Sequence, residues 1–171
     1  MVQISLPNNS KIKKGKYYKD KTNSKNIRKV NVYRWDPSDN ENPRIDTYEV
    51  DMDNCPSKVL DILNKIKNEI DPSLAYRRSC SHGVCGSCAM NMDGKNGLAC
   101  TKSHSEIKGD INIYPLPHLK VLKDLIGDLS TLYKQYESIE PWLKNSKKDD
   151  GKENHQSIDD RAKLDGLYER I

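Results

Sequence analysis

Apolar and polar residues alternate twice in the first third of the chain. In 29–36, KVNVYRWD, Val30 and Val32 are followed by aromatic residues, and in 45–52, IDTYEVDM, the period of two returns. That alternation predicts two half-buried strands. The intervening PSDNENPR is a loop by composition, so a hairpin with a long connection is expected. Pro56 can open a helix, and Val59, Leu60, Ile62, Leu63, Ile66 and Ile70 follow at roughly helical spacing. Residues 56–70 are therefore predicted as a helix, ended by Asp71-Pro72-Ser73. LAYRRS, 74–79, reads as a short strand. In AMNMDGKNGLAC, 89–100, the turn pairs Asp93-Gly94 and Asn96-Gly97 lie between short strand-like pieces. INIYPLP, 111–117, is the last strand and stops at its prolines.

This order gives a sheet of about four or five strands crossed by one helix, an α+β domain over 29–118. From Leu119 the pattern turns helical: Leu122, Leu125, Ile126, Leu129, Leu132, Tyr133 and Tyr136 share one face. Residues 119–143 are predicted as a docking helix whose apolar face is only partly covered within the chain. KNSKKDDGKENHQ, 144–156, has no apolar residue and reads as a solvated linker. SIDDRAKLDGLYERI can then open a helix with Ser157 as cap and Asp160 three residues later. Residues 144–171 are thus expected to be a linker and a C-terminal helix at a partner junction, with Leu164, Leu167 and Tyr168 as apolar anchors.

Composition limits the core. Only 35% of the 171 residues are hydrophobic, 32% are charged, and Phe is absent. No apolar run is long enough to span a bilayer. The net charge of +4 hides an asymmetry. Residues 1–29 carry nine Lys/Arg and one acid, Asp20, while residues 30–171 carry 20 basic and 24 acidic residues. A basic segment of this kind suits nucleic acid, an anionic partner or a targeting role. Its Lys/Asn-rich composition reads instead as a solvated, disordered extension over 1–28, and no nucleic-acid partner is expected.

The chemistry concentrates in Cys80–Cys100, CSHGVCGSCAMNMDGKNGLAC, which holds four of the five cysteines. No secretory signal is seen, so disulfides are not implied. A structural zinc site also uses four thiolates, generally as two Cys-x-x-Cys pairs. Here three cysteines fall within nine residues and the fourth follows alone, the C-x4-C-x2-C…C arrangement of a plant-type [2Fe–2S] site. Zinc stays open as the rival. Two irons need two thiolates each, so Cys80, Cys85, Cys88 and Cys100 are the candidate ligands. Gly83 and Gly86 would let the loop wrap closely and aim amide N–H groups at the sulfurs. Arg77, Arg78 and His82 flank the loop and would offset its negative charge, raising the reduction potential above about −400 mV. Cys55 lies outside the loop and is expected to be a buried, inert thiol. His104, His118 and His155 have no metal-like spacing.

SLAYRRSCSHGVCGSCAMNMDGKNGLAC, together with IYPLPHLKVLKDLIGDLSTLYKQYESIEPWL and KLDGLYE, strongly resembles the iron–sulfur subunit of succinate dehydrogenase, respiratory complex II, over most of 30–169. The fumarate reductase subunit is a close relative. The resemblance implies a β-grasp ferredoxin domain whose [2Fe–2S] cluster, on Cys80, Cys85, Cys88 and Cys100, receives electrons from a flavoprotein subunit that oxidises succinate. It further implies [4Fe–4S] and [3Fe–4S] clusters, membrane anchor subunits and quinone beyond it. The expected setting is peripheral, on the matrix side of the mitochondrial inner membrane. Family members continue past KLDGLYE into a cysteine-rich helical domain, and no Cys follows Cys100 here. A separate polypeptide carrying that half is the expectation, with a truncated chain as the alternative. The chain is then an electron-transfer subunit of an oxidoreductase, with no catalytic acid, base or substrate site of its own. Two other classes compete: a free-standing soluble [2Fe–2S] ferredoxin, which would run as a monomer, and a zinc-stabilised interaction module, which would be colourless.

Overall fold

A computed structural model of the chain describes residues 11–22, 24–39, 41–142, 144, 151 and 155–165. The chain forms two compact units, residues 1–134 and 135–171. In the first, strands β1 (Lys13–Tyr18), β2 (Ile27–Arg34), β3 (Arg44–Asp51), β4 (Ala89–Met92), β5 (Lys95–Leu98) and β6 (Ile111–Tyr114) build one mixed sheet in the order β1-β3-β2-β6-β4-β5. The predicted hairpin is present: β2 and β3 pair antiparallel from Ile27 opposite Asp51 to Arg34 opposite Arg44. β6 inserts parallel to β2, and β4 runs antiparallel to both β6 and β5.

One helix crosses the sheet. α1 (Val59–Lys65) continues into a π-helical turn, Ile66–Ile70. It starts later than Pro56, because 56–58 is taken up by contacts with the segment after Cys100. Lys58 bridges to Ser103, and the first helical N–H groups of Val59 and Leu60 donate to the carbonyls of Lys102 and Ala99. These N–H groups have no intrahelical acceptor, so the helix start and the residues beside Cys100 hold each other. Val59, Ile62, Leu63 and Ile66 are fully buried against Val30, Val32, Tyr48, Ile111 and Ile113. With no Phe, Tyr48 is among the largest side chains of this core, stacked on Tyr18 with ring centroids 4.6 Å apart.

Three expectations need correction. Residues 13–18, assigned to a disordered extension, form β1, paired parallel to β3. Nothing in KKGKYY alternates, since the strand is held through its backbone and through contacts distant in sequence. The Lys16 N–H donates to Asp46 Oδ1 at 2.7 Å, and the Tyr17 hydroxyl bonds Glu49. A lysine-rich strand at the sheet edge also resists pairing with other chains. Residues 74–79 join no strand ladder. Ala75 N–H donates instead to the Asp124 carboxylate at 2.9 Å, and Ala75 O accepts from Leu125 N–H.

The third correction concerns 119–143, which is not one helix. Residues 121–127 form a small hairpin of β7 (Val121–Lys123) and β8 (Ile126–Gly127), and α2 spans only Ser130–Ile139. Asp124 turns the hairpin at φ 44° and is buried, with its carboxylate drawn inward to Arg34, Trp35 N–H and Ala75 N–H. Those bonds outweigh the helical spacing of the leucines, of which Leu125 enters the core. Asp128 then accepts from the Ser130 N–H and hydroxyl at the start of α2.

In the second unit, α3 (Ile158–Asp165) is capped as the sequence predicts, with Asp160 N–H donating to Ser157 Oγ at 3.1 Å and the Ser157 hydroxyl donating back to Asp160. Leu164 is exposed. The other expected anchors, Leu167 and Tyr168, and most of the 144–156 linker lie outside the described residues.

Candidate functional site

Cys88 and Cys100 are placed by the sheet. β4 and β5 meet at the Asp93-Gly94 turn, both residues at positive φ (52° and 81°), as a two-residue hairpin that follows strand twist requires. The resulting register puts Ala89 opposite Leu98. Ala99 N–H then donates to Cys88 O at 3.2 Å, and Cys100 comes beside Cys88. Both thiols are buried. Burial pushes the Cys88 thiol up, and its side chain meets that of Cys100.

Cys80 and Cys85 sit on the loop in front of this hairpin, Cys85 exposed and Cys80 partly so. The loop turns through three residues at positive φ, Ser81 (60°), Gly83 (77°) and Gly86 (71°). These turns point backbone N–H groups inward. Cys80 Sγ accepts from His82, Val84 and Cys85 N–H at 3.3–3.4 Å, and Cys100 Sγ accepts from Gly83 N–H at 3.2 Å. The Ser87 hydroxyl lies 3.0 Å from Cys85 Sγ. That contact, helped by neighbouring backbone groups and Cys80, lowers the Cys85 thiol to about 6.

Four thiols are thus gathered as two interacting pairs, Cys80 with Cys85 and Cys88 with Cys100. Among the described residues, no three His, Cys, Asp or Glu side chains converge as ligands of a single ion. One zinc ion needs all four thiolates around one point, whereas two irons take two each, so the donor set fits a binuclear cluster better than mononuclear zinc. The amide concavity suits a group of net negative charge.

The effect expected of the flanking cations is one of charge and does not require a bond to the sulfurs. Arg77 Nη1 donates to Gly127 O at 2.8 Å, tying the loop approach to the β7–β8 hairpin, and Arg78 is exposed. Among the described residues, no hydrogen bond joins the side chain of Arg77, Arg78 or His82 to a cysteine sulfur; the sulfurs meet backbone amides and Ser87 instead. Sequence reasoning missed Ser87, although a hydroxyl two residues after a candidate ligand was a visible signal. Cys55 is half-buried, and burial raises its thiol.

Gly83 is the tightest point of the loop. A Cβ there would sit 2.8 Å from Thr101 Cγ2 on a backbone at φ +77°, while at Gly86 it would meet open space. Gly83→Ala and Gly86→Ala are each expected to cost about 1–2 kcal/mol from the left-handed conformation, a factor of roughly 5–30 in an equilibrium, and the Thr101 contact adds to that cost at Gly83. Cluster half-life under a chelator, read from visible absorbance, should shorten by that order in Gly86→Ala and further in Gly83→Ala. The reverse ranking would show that the Thr101 contact does not matter.

A mixed sheet crossed by one helix, with four thiols in an amide-lined loop, defines a ferredoxin-like electron-transfer protein with a [2Fe–2S] cofactor. Residues 29–134 match the 2Fe-2S iron-sulfur cluster binding domain, and the chain belongs to that family. It is similar to the succinate dehydrogenase iron-sulfur subunit of Paracoccus denitrificans, 58% identical over 171 residues, which is all of this chain and 66% of that protein. Among solved structures it resembles a chain of the Mycobacterium smegmatis Sdh1 complex in the apo form, with a TM-score of 0.65 and 27% identity, covering 80% of this chain and 56% of that one. The chain therefore spans a little under two thirds of the length of the curated relative it matches.

Proposed function

We propose that this chain is the [2Fe–2S]-bearing part of a succinate dehydrogenase, relaying electrons from a flavoprotein subunit towards quinone. The observation that carries this reading is the 58% identity to the Paracoccus subunit, sustained along all 171 residues. The ligands are Cys80, Cys85, Cys88 and Cys100. When bound, the cluster takes up and releases one electron at a time. The protein gathers the four thiols in one loop and hairpin, aims amide N–H groups at Cys80 and Cys100, and keeps Cys85 near the surface, where a donor can approach. No acid–base step is assigned to its residues.

Residues 29–129 form the cluster domain in this reading, and α2 is the docking element. Leu132, Tyr133, Tyr136 and Ile139 on α2 are all more than half exposed, which is unfavourable for an unpartnered helix in water. No cysteine follows Cys100 within these residues, so they do not hold the [4Fe–4S] and [3Fe–4S] clusters; the proposed partners are a separate iron–sulfur half that carries them and membrane anchor subunits beyond. Among the described residues, no helix is long and apolar enough to cross a membrane, which supports peripheral attachment. The proposed location is the matrix side of the mitochondrial inner membrane.

The test is to tag the full chain in its native membranes, solubilise gently, and identify by mass spectrometry what co-purifies. A flavoprotein subunit, a second iron–sulfur chain and succinate–quinone activity are expected. L132E/Y133E should deplete the partners, and deletion of 158–171 should deplete the second iron–sulfur chain. A tagged chain recovered alone, as a soluble monomer, would overturn the assignment in favour of a free-standing ferredoxin.

A further inference from the structure

We propose that Ser87 tunes the electron affinity of the centre, its hydroxyl donating a hydrogen bond to the Cys85 sulfur. The inference rests on the reading that Cys85 is a cluster ligand. With a free thiol, either atom of the 3.0 Å pair can be the donor. A thiolate bound to iron carries no proton, so Ser87 then becomes the donor and Cys85 the acceptor. The donor is held in place. Ser87 is half-buried, it precedes the buried Cys88, and the turn around it is closed by Ala89 N–H donating to Gly86 O at 3.1 Å.

The arrangement is also asymmetric. Cys80 accepts three backbone N–H groups and Cys100 one. Backbone donors are fixed by the fold and survive any side-chain change. Among the described residues, Ser87 supplies the one hydroxyl that meets any of the four sulfurs, so it is the donor that a single substitution can remove. Added electron density on the sulfur strengthens a hydrogen bond to it. The Ser87 bond therefore favours the reduced state, and losing it lowers the potential.

Ser87→Ala and Ser87→Thr are compared with wild type in the full chain, each loaded with cluster and titrated electrochemically with EPR detection of the reduced state. Ser87→Ala is expected to lower the equilibrium constant for reduction by about three- to tenfold, roughly 30–60 mV at 59 mV per decade for one electron. Ser87→Thr, which keeps the hydroxyl, should restore most of it. An unchanged potential in a fully loaded Ser87→Ala chain overturns the proposal, as does a Ser87→Thr chain shifted as far as Ser87→Ala. If Ser87→Ala does not load, Ser87→Gly and Ser87→Val replace it; loss of the cluster from every hydroxyl-free variant would make Ser87 an assembly residue and also overturn tuning. Cys85→Ala separates the two levels of inference. A stable cluster in Cys85→Ala refutes the ligand reading, whereas cluster loss there with an unshifted Ser87→Ala refutes only the tuning.

Discussion

Replacing Cys80, Cys85, Cys88 or Cys100 by Ala is expected to yield a chain that purifies without its visible absorption band and without an EPR signal on reduction, while Cys55→Ala should retain both. In the proposed ligand set each thiol belongs to a pair and each pair would serve one iron, so a missing thiolate would leave that iron open to water. Losing even an outer partner of a metal ligand costs about 10–100-fold in affinity, and losing the ligand costs more. The four variants should differ in what they do to the apoprotein. Cys88 and Cys100 are buried beside the hydrophobic core, so their truncation also opens a small cavity and should lower the melting temperature of the metal-free chain. Cys85 is exposed, and its truncation should leave that temperature unchanged. Cys55, half-buried and outside the loop, is the control. Iron and sulfide content, the visible spectrum and apoprotein melts decide the matter. A normal cluster in Cys100→Ala would refute the ligand set.

The local signals were the legible ones. Alternation marked β2 and β3, Asp93-Gly94 marked the turn that brings Cys100 back beside Cys88, and the C-x4-C-x2-C spacing marked the loop. Each is written within about twenty residues, and backbone geometry translates it directly. What stayed hidden depends on partners far along the chain. KKGKYY becomes a strand because β3 offers it a free edge, and no periodicity records that. LKVLKDLIG has leucines at helical spacing, yet Asp124 is claimed by Arg34, Trp35 and Ala75, 90, 89 and 49 positions away, and the segment folds as a hairpin. One clue to that interaction was present: in β2 the inward positions run Val30, Val32, Arg34, and a charged residue on the buried side of a strand requires counter-charges. The contact between Ser87 and Cys85 is also local, two residues apart, but a serine beside a cysteine carries no spacing rule of the kind that marks the ligands.

That inward arginine carries the second large expectation: Arg34→Met destabilises the fold by about 3–5 kcal/mol, the cost of breaking a buried ion pair from one side, or roughly 10–20 °C in melting temperature for a unit of this size. Arg34 is 3% exposed. Its guanidinium donates to Asp124 at 3.1 Å, to the Tyr48 hydroxyl at 2.7 Å, to Ser73 at 2.8 Å and to Asp71, with Asp46 3.5 Å away. Methionine fills the volume but leaves three carboxylates without their shared cation. Asp46 keeps Arg44 at 3.0 Å, and Asp124 keeps two backbone N–H groups, so the loss stays below the sum of three orphaned charges. The pH dependence gives the sign. Burial pushes the Asp71 carboxyl up, but hydrogen bonds from Ser73, Arg34 and Tyr48 outweigh it and hold the group well below the ordinary carboxylate range. A depressed carboxyl stabilises the native state above its unfolded pKa, about 4, and that contribution fades as the pH falls through the folded value. Without Arg34 the Asp71 carboxyl loses one of those donors and keeps its burial, so it rises and protonation relieves that burial. The gap between wild type and Arg34→Met should therefore be widest near pH 7 and narrow towards pH 4. The consequence reaches the site, because this network fixes 71–75 and the β7–β8 hairpin, and from there Arg77 and Cys80 follow. Urea unfolding at pH 7 and pH 4 measures both claims, with cluster release timed in parallel. A difference under 1 kcal/mol at pH 7, or one that grows on acidification, would mean that the cluster loop is not anchored through Arg34.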